Sequence, residues 1–385
     1  MRREILKRVL FPVVLAALVA GFVELSSCLF FSCFRKRFTF FDLKSCTVKP
    51  SQIPSLRQQS SARLGWDMQY KTPYGERPRV ISYDRPLIAT FGESFTHCDE
   101  VRHHETWQTY LSALLKRDVF NFGTRAYGTD QAYLKFTSVY PRVKTPIVTL
   151  GIMTENINRC VNVYRPFYYA QTGFWMTKPR FALERGRLAL LENPIRRKKD
   201  LEQLENPRFV QSLGKNDWWY NRDSHPVLEF PYSRILLNKR MWLEAYYGKG
   251  SRTISDVNPR PWPYLLDVPE ATQLLLKIAE SFIKDAKGYG VTPVVMILPL
   301  EAEVTSKFRT GKDQKAISLI KELCRREQCL CFDGVAALAR NIRSVQDAKP
   351  LFTWHTTAQG NRVLAREFFE FLKKQGLLDG APAAR

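Results

Sequence analysis

Acidic side chains are in short supply in this chain: 37 Asp and Glu face 59 Lys and Arg over 385 residues, a formal net charge of +22. Such an excess points to an anionic partner without choosing among lipid, polysaccharide and nucleic acid. Cysteine is also sparse. Eight residues with no C-x-x-C pair exclude a dense disulfide scaffold and argue against structural zinc. Histidine is scarcer still, at five residues, so imidazole chemistry has few candidates. No internal repeat, low-complexity segment, cofactor motif or nucleic-acid recognition motif is visible, and neither cofactor nor metal is expected. What is present is globular: 45% apolar and 25% charged residues lie outside the range of disordered chains. The length implies one large domain with insertions, or a core with a smaller subdomain.

The compartment is written at the N-terminus. Arg2, Arg3, Lys7 and Arg8 precede an apolar run from Val9 to Val23 that continues through Leu25, Leu29, Phe30, Phe31 and Phe34 to Arg35-Lys36-Arg37. A stretch of this kind is an export signal or a membrane anchor, and residues 1–34 are read as an uncleaved signal anchor. Glu24 must then sit near an interface, because a carboxylate is costly in hydrocarbon. The rival reading takes Leu25-Ser26-Ser27-Cys28 as a lipoprotein cleavage box. Basic clusters on both sides blunt the orientation argument. Residues 1–49 carry a net charge of +6, which leaves +16 on the remainder.

Residues 35–85 read as a linker and lead-in to the fold. Beyond them, short apolar runs alternate with helical periodicity. Strands are predicted at Pro86–Phe91, Asp118–Phe122, Pro146–Leu150, Val291–Leu298 and around Leu330-Cys331-Phe332. Helical faces run through Trp107, Tyr110, Leu111, Leu114 and Leu115, from Thr129 through Ala132, Tyr133 and Phe136, and through Leu274, Leu275, Ile278 and Phe282. Two more run through Ile317, Ile320 and Leu323, and through Val363, Leu364, Phe368 and Leu372. Alternation of this type predicts a three-layer αβα fold around a mostly parallel sheet. Residues 86–159 and 269–376 would form the core, 160–268 an inserted lid or subdomain, and 377–385 a tail. Within the insertion, residues 180–190 look like a hairpin turning at Gly186.

In an open parallel sheet ligands bind outside the carboxyl ends of the strands. At those ends stand Gly92-Glu93-Ser94-Phe95-Thr96, Asn121-Phe122-Gly123 and Gly151-Ile152-Met153-Thr154-Glu155-Asn156, and before the last helix Trp354-His355-Thr356-Thr357. The ordered set resembles the SGNH (GDSL-type) hydrolases, named for a Ser, a Gly, an Asn and a His in that order. The resemblance covers roughly 86–156 and 290–372. It implies Ser94 as nucleophile, His355 as base, and an oxyanion hole from the backbone N–H groups of Ser94 and Gly123 and the side-chain amide of Asn156. The chemistry is coherent by itself: an acyl-enzyme needs a nucleophile, a proton acceptor and donors aimed at the developing oxyanion. Plainer readings stand beside these. Ser94 can serve a helix N-terminus, Asn156 a turn, His103 and His104 a solvated helix entrance, and Gly128-Thr129-Asp130 a turn and helix cap.

Two departures bear on mechanism. Glu93 stands where the family usually carries Asp. Phe352 stands three residues before His355, where the family commonly places the acid that orients the imidazole. Asp333, Asp347 or a backbone carbonyl would have to replace it; otherwise the site is a Ser-His dyad, or catalysis is impaired. The resemblance, the export signal and the basic surface together lead us to expect an esterase or acyltransferase acting on acyl esters of an envelope or secreted glycan. The alternative is a binding or assembly protein that retains the fold. Phe167, Tyr168, Tyr169, Phe174 and Trp175 would stack on sugars or form a small core, and Arg196-Arg197-Lys198-Lys199 would meet anionic glycan or lipid or form a solvated loop. If Ser94 and Asn156 converge, Cys98 and Cys160 should lie on one rim, where an oxidising exterior would permit a disulfide; the plainer reading is two independent buried thiols. Cys324 would reach Cys329 or Cys331.

Overall fold

The structure is a computed structural model that describes residues 2–38, 40, 46–68, 70–167, 173–221, 226–238, 241–242, 245 and 262–378. The chain divides into two compact units. One comprises residues 51–163, 176–201 and 261–385; the other comprises 1–50, 164–175 and 202–260. These boundaries differ from those expected. Residues 51–85 belong to the first unit rather than to a linker, and so does the hairpin formed by 180–184 and 187–191. Its turn takes positive φ at Arg185 and Gly186, the latter at +76°, which glycine tolerates without strain.

The first unit holds a five-stranded parallel sheet. Its strands are β1 (Pro86–Phe91), β2 (Asp118–Asn121), β3 (Ile147–Met153), β4 (Thr292–Leu298) and β5 (Leu330–Asp333), in spatial order β2-β1-β3-β4-β5. All seven residues of central β3 are buried, which is why it reads as a continuous apolar run without alternation. One face is covered by helices Thr129–Val143, Pro269–Gly288 and Lys315–Arg326. The other carries Trp107–Leu115, Glu301–Thr310, Gly334–Ala339 and Ala358–Lys374. This is the expected αβα architecture, and the order reverses direction at β1/β3, the place where such sheets bind ligands. β3 runs three residues beyond its expected end at Leu150. Gly151 lies inside the strand because the Thr96 Oγ1 atom occupies the space of a Cβ, 2.3 Å from where that atom would be.

In the second unit the N-terminal helix α1 runs Arg2–Cys33, and its stretch Leu10–Cys33 is long and apolar enough to cross a membrane. Phe167 is buried and packs against Tyr164 and Tyr220 at ring separations of 5.2 and 4.9 Å, so this part of the aromatic insertion makes a small core. Tyr168 and Tyr169 lie outside the described residues.

The anticipated disulfide is not formed. Cys98 and Cys160 are both thiols, each buried among polar neighbours of its own. The Cys98 thiol lies 3.4 Å from Gln108 Oε1, while Cys160 neighbours the backbone of Thr129 and Asp130. Burial pushes both thiols up to about 12. Cys324 does neighbour both Cys329 and Cys331, as thiols.

Candidate active site

Ser94 opens the four-residue helix α2 (Ser94–His97), entered directly from β1 through Gly92 and Glu93. Three glycines at the ends of three adjacent strands let this helix descend onto the sheet. A Cβ on Gly92 would stand 2.0 Å from Thr96 Oγ1, one on Gly151 2.3 Å from the same atom, and one on Gly123 2.2 Å from the His97 backbone nitrogen. At Gly123 the obstruction is the backbone of the helix itself, so a side chain there would displace the helix that carries Ser94. Glu93 caps it: its Oε2 accepts from the Phe95 N–H at 2.9 Å and from the Ser94 hydroxyl at 2.9 Å.

The last loop brings His355 to the serine from 261 residues away. Thr357 N–H donates to the Leu351 carbonyl at 2.9 Å and Thr353 N–H to that of His355 at 2.9 Å, so residues 351–357 form a tight turn. Phe352 is buried beneath it, bridged to Thr356. The His355 ring packs on Phe95 at a centroid distance of 4.8 Å, and its Nε2 lies 2.8 Å from Ser94 Oγ. The hydroxyl thus has one proton and two possible acceptors, His355 Nε2 and Glu93 Oε2. Burial raises the Glu93 pKa against the opposing effects of Arg159, the Phe95 N–H, His355 and Ser94, so the carboxyl is a reluctant anion.

The carboxylate behind His355 is Glu100. Its Oε1 lies 3.3 Å from His355 Nδ1, an ion-pair contact rather than an aligned hydrogen bond, and its Oε2 accepts from the Thr353 hydroxyl at 2.5 Å. Cys98 and Glu100 both take left-handed backbone, with φ of +62° and +71°. This strained conformation turns the carboxylate back toward the last loop. Burial acts to raise the Glu100 pKa, but the Thr353 hydroxyl and the charge and N–H groups of His355 outweigh it and hold the group below the usual carboxylate range.

Neither expected substitute for the missing acid reaches the imidazole. Asp333 caps the following helix by accepting from the Ala336 N–H at 2.9 Å and pairs with Lys321. Asp347 accepts from the N–H groups of Arg343 and Ser344 at 2.8 and 3.0 Å. Both are consumed by helix starts, where a carboxylate is favoured by the orphan donors. Gly123 departs from the expectation as well: its N–H donates to Asn121 Oδ1 at 2.9 Å rather than standing unpaired.

Asn156 follows β3, beside the strand that leads to Ser94. Its side chain is fully buried, and neither its amide nitrogen nor its oxygen has a partner among the described residues. An unpaired buried amide is costly, and its retention fits a donor held for a ligand oxygen. The adjoining Thr154 hydroxyl donates to Glu303, whose pKa burial raises to about 7. Trp354, next to His355, is 86% exposed, an unusual cost for an indole unless something covers it. The other flagged groups have structural partners. His103 accepts from Arg77 Nε at 3.1 Å, Gly128 begins the helix Thr129–Val143, and Arg197 pairs with Asp200.

Glu100 went unnoticed in the sequence because no spacing ties it to His355. The available signal was a pair of adjacent carboxylates, Asp99 and Glu100, directly after the nucleophile's helix in an acid-poor chain.

No family model matches the sequence, and no curated protein matches it. Similar solved structures include one named for the G-D-S-L lipolytic family from Desulfitobacterium hafniense DCB-2, at 10% identity and a TM-score of 0.35, covering 74% of this chain and 99% of that one. Another is a member of the lipolytic protein G-D-S-L family from Veillonella parvula DSM 2008, at 11% identity and a TM-score of 0.36, covering 75% and 98%. At this distance the likeness says nothing of substrate or of residue roles.

Proposed function

We propose that this chain is a membrane-anchored, exported serine esterase or acyltransferase of the SGNH type, with Ser94, His355 and Glu100 as its triad. The observation that carries the reading is the 2.8 Å contact of Ser94 Oγ with His355 Nε2, backed by Glu100. His355 Nε2 takes the hydroxyl proton as Ser94 Oγ attacks the acyl carbonyl, and Glu100 stabilises the imidazolium that results. The oxyanion is met by the Ser94 N–H and the Asn156 amide. Collapse breaks the ester C–O bond, and His355 returns its proton to the departing alkoxide. Water or a second hydroxyl then attacks the acyl-enzyme, giving hydrolysis or transfer respectively.

The substrate class proposed is the acyl ester, such as acetyl, of an envelope or secreted glycan. Exposed Trp354 beside the base offers a face on which a sugar ring stacks, and the net charge of +22 suits an anionic glycan or lipid surface. The competing reading is a non-catalytic binding or assembly protein. Its motive was the missing acid, and Glu100 weakens it. Reaction of the full chain with a fluorophosphonate probe, followed by peptide mapping, separates the two: the expected adduct is on Ser94, and a folded protein that stays unlabelled supports the binding module.

A further inference from the structure

The N-terminal helix raises a question of depth. Its stretch Leu10–Cys33 is 24 residues long with only 6% of its most apolar window buried, so protein covers almost none of it. Counted from Leu10, a hydrocarbon layer of about 30 Å ends roughly 20 residues further on. Glu24 comes after 14 residues, about 21 Å in, and therefore lies on the order of 9 Å short of the far boundary. A carboxylate is costly at that depth unless donors accompany it.

Donors do accompany it. The Glu24 carboxylate accepts from the Tyr232 N–H at 2.6 Å, from the Ser233 N–H at 3.2 Å and from the Ser233 hydroxyl. Those residues open the 3-10 turn Tyr232–Leu237. The contact is braced by a core of Phe31, Phe38, Phe40, Ile235 and Met241, against which Trp242 packs at 5.2 Å from the Phe38 ring. The carboxylate and its donors thus share one depth, and a segment 208 residues distant in sequence has been brought to the helix to supply them. That segment exposes large apolar side chains beside the ion pair of Arg234 with Glu229. Phe230 is 72% exposed and Leu237 83%, on either side of the Glu24 contact.

We propose that residues 228–238, with Met241 and Trp242, form a membrane-interface collar, which rides on the helix at the depth of Glu24 and faces lipid with Phe230 and Leu237. Lipid is the occupant because the collar continues an apolar helix surface that protein leaves bare, and because its depth is set by a carboxylate that the span itself carries. Arg35, Lys36 and Arg37, just past the helix, are placed for anionic headgroups. The collar lets a helix with an internal carboxylate serve as an anchor. It rests on the membrane-anchored part of the proposed function and is independent of Ser94 chemistry.

The test uses the full chain in vesicles of phosphatidylcholine and phosphatidylglycerol, with photoreactive p-benzoylphenylalanine in place of Phe230, of Leu237 or, as a control on the hairpin, of Leu190. Flotation with the vesicles reads the anchor separately. The expected result is flotation of all three proteins and lipid adducts at 230 and 237 at least fivefold above those at 190. Flotation with adducts no higher than at 190 overturns the collar while sparing the anchor, and cross-linking of 230 or 237 to a second copy of the chain overturns it in favour of a dimer interface. Failure to float removes both. Should either replacement prevent folding, Leu236, which is 39% exposed, is the substitute position.

Discussion

Asp99 and Glu100 are adjacent in sequence, and each faces a histidine, yet the two pairs are built for different ends. Asp99 Oδ1 lies 2.5 Å from His97 Nδ1, His97 Nε2 meets the Tyr70 hydroxyl at 2.8 Å, and Arg125 Nε reaches Asp99 Oδ2 at 2.8 Å. Every polar atom of that imidazole is spoken for within the protein, and its surroundings are buried. Burial, helped by the charges of Arg77 and Arg125, lowers the His97 pKa against the raising effect of Asp99. Glu100 is half-exposed, its contact with His355 is longer at 3.3 Å, and the far nitrogen of His355 points at a hydroxyl. A histidine and a carboxylate therefore do not make a catalytic pair by proximity. What distinguishes them is whether the second ring nitrogen is closed by a structural partner or left facing the Ser94 hydroxyl.

The comparison breaks most completely at the nucleophile. Ser94→Ala should lower kcat on a short acyl ester by at least ~10³-fold while changing stability by less than about 1 kcal/mol. Full activity in the variant would remove Ser94 from the mechanism. Next comes the acid: Glu100→Gln should cost on the order of 10²-fold in kcat, because an amide no longer stabilises the imidazolium. Asp333→Asn, measured alongside, should leave kcat unchanged; the reverse ranking would return Asp333 to the role that the sequence allowed it.

The closed pair should respond in the opposite currency. Asp99→Asn is expected to lose about 3 kcal/mol of stability in urea unfolding, since it leaves His97 and Arg125 without their shared carboxylate, and to leave turnover nearly intact in the folded fraction. A variant as stable as wild type would show that this network is dispensable. The smallest effect concerns pH. Glu303 is held near 7 when folded against an ordinary 4.5, so the folded state binds the extra proton and its stability falls as pH rises from about 4.5 to about 7. Glu303→Gln should flatten that slope, by at most about 3 kcal/mol across the window; urea midpoints at several pH values that fall in parallel for both proteins would count against it.

Much of the scaffold was legible. Pro86–Phe91 was read to the residue, and the strands near 118, 292 and 330 to within one or two positions, because a buried parallel strand needs a run of apolar side chains wherever it lies. Ser94 and His355, carried by the resemblance, do lie together in the fold. Gly151 misled, since a glycine in an apolar run looks like a loop until the atom filling its side-chain space is known. Glu301–Thr310 leaves no apolar period because it buries only Glu303 and Val304, and the six residues of Gly334–Ala339 are too few to build one.

The strand positions, the apolar N-terminal run and the residues at the strand ends follow from local patterns, for hydrophobic runs and punctuation act over a few residues at a time. The partner of His355 does not. Glu100 reaches it only because two left-handed residues turn the chain after the nucleophile's helix and a loop more than 250 residues later closes over it. Asp333, at an equally plausible strand end, is taken by Lys321 and a helix start. The donors for Glu24 likewise come from a turn 208 residues away. Which carboxylate meets which cation or N–H is a competition settled by where distant segments pack, and that competition leaves no period or spacing in the chain.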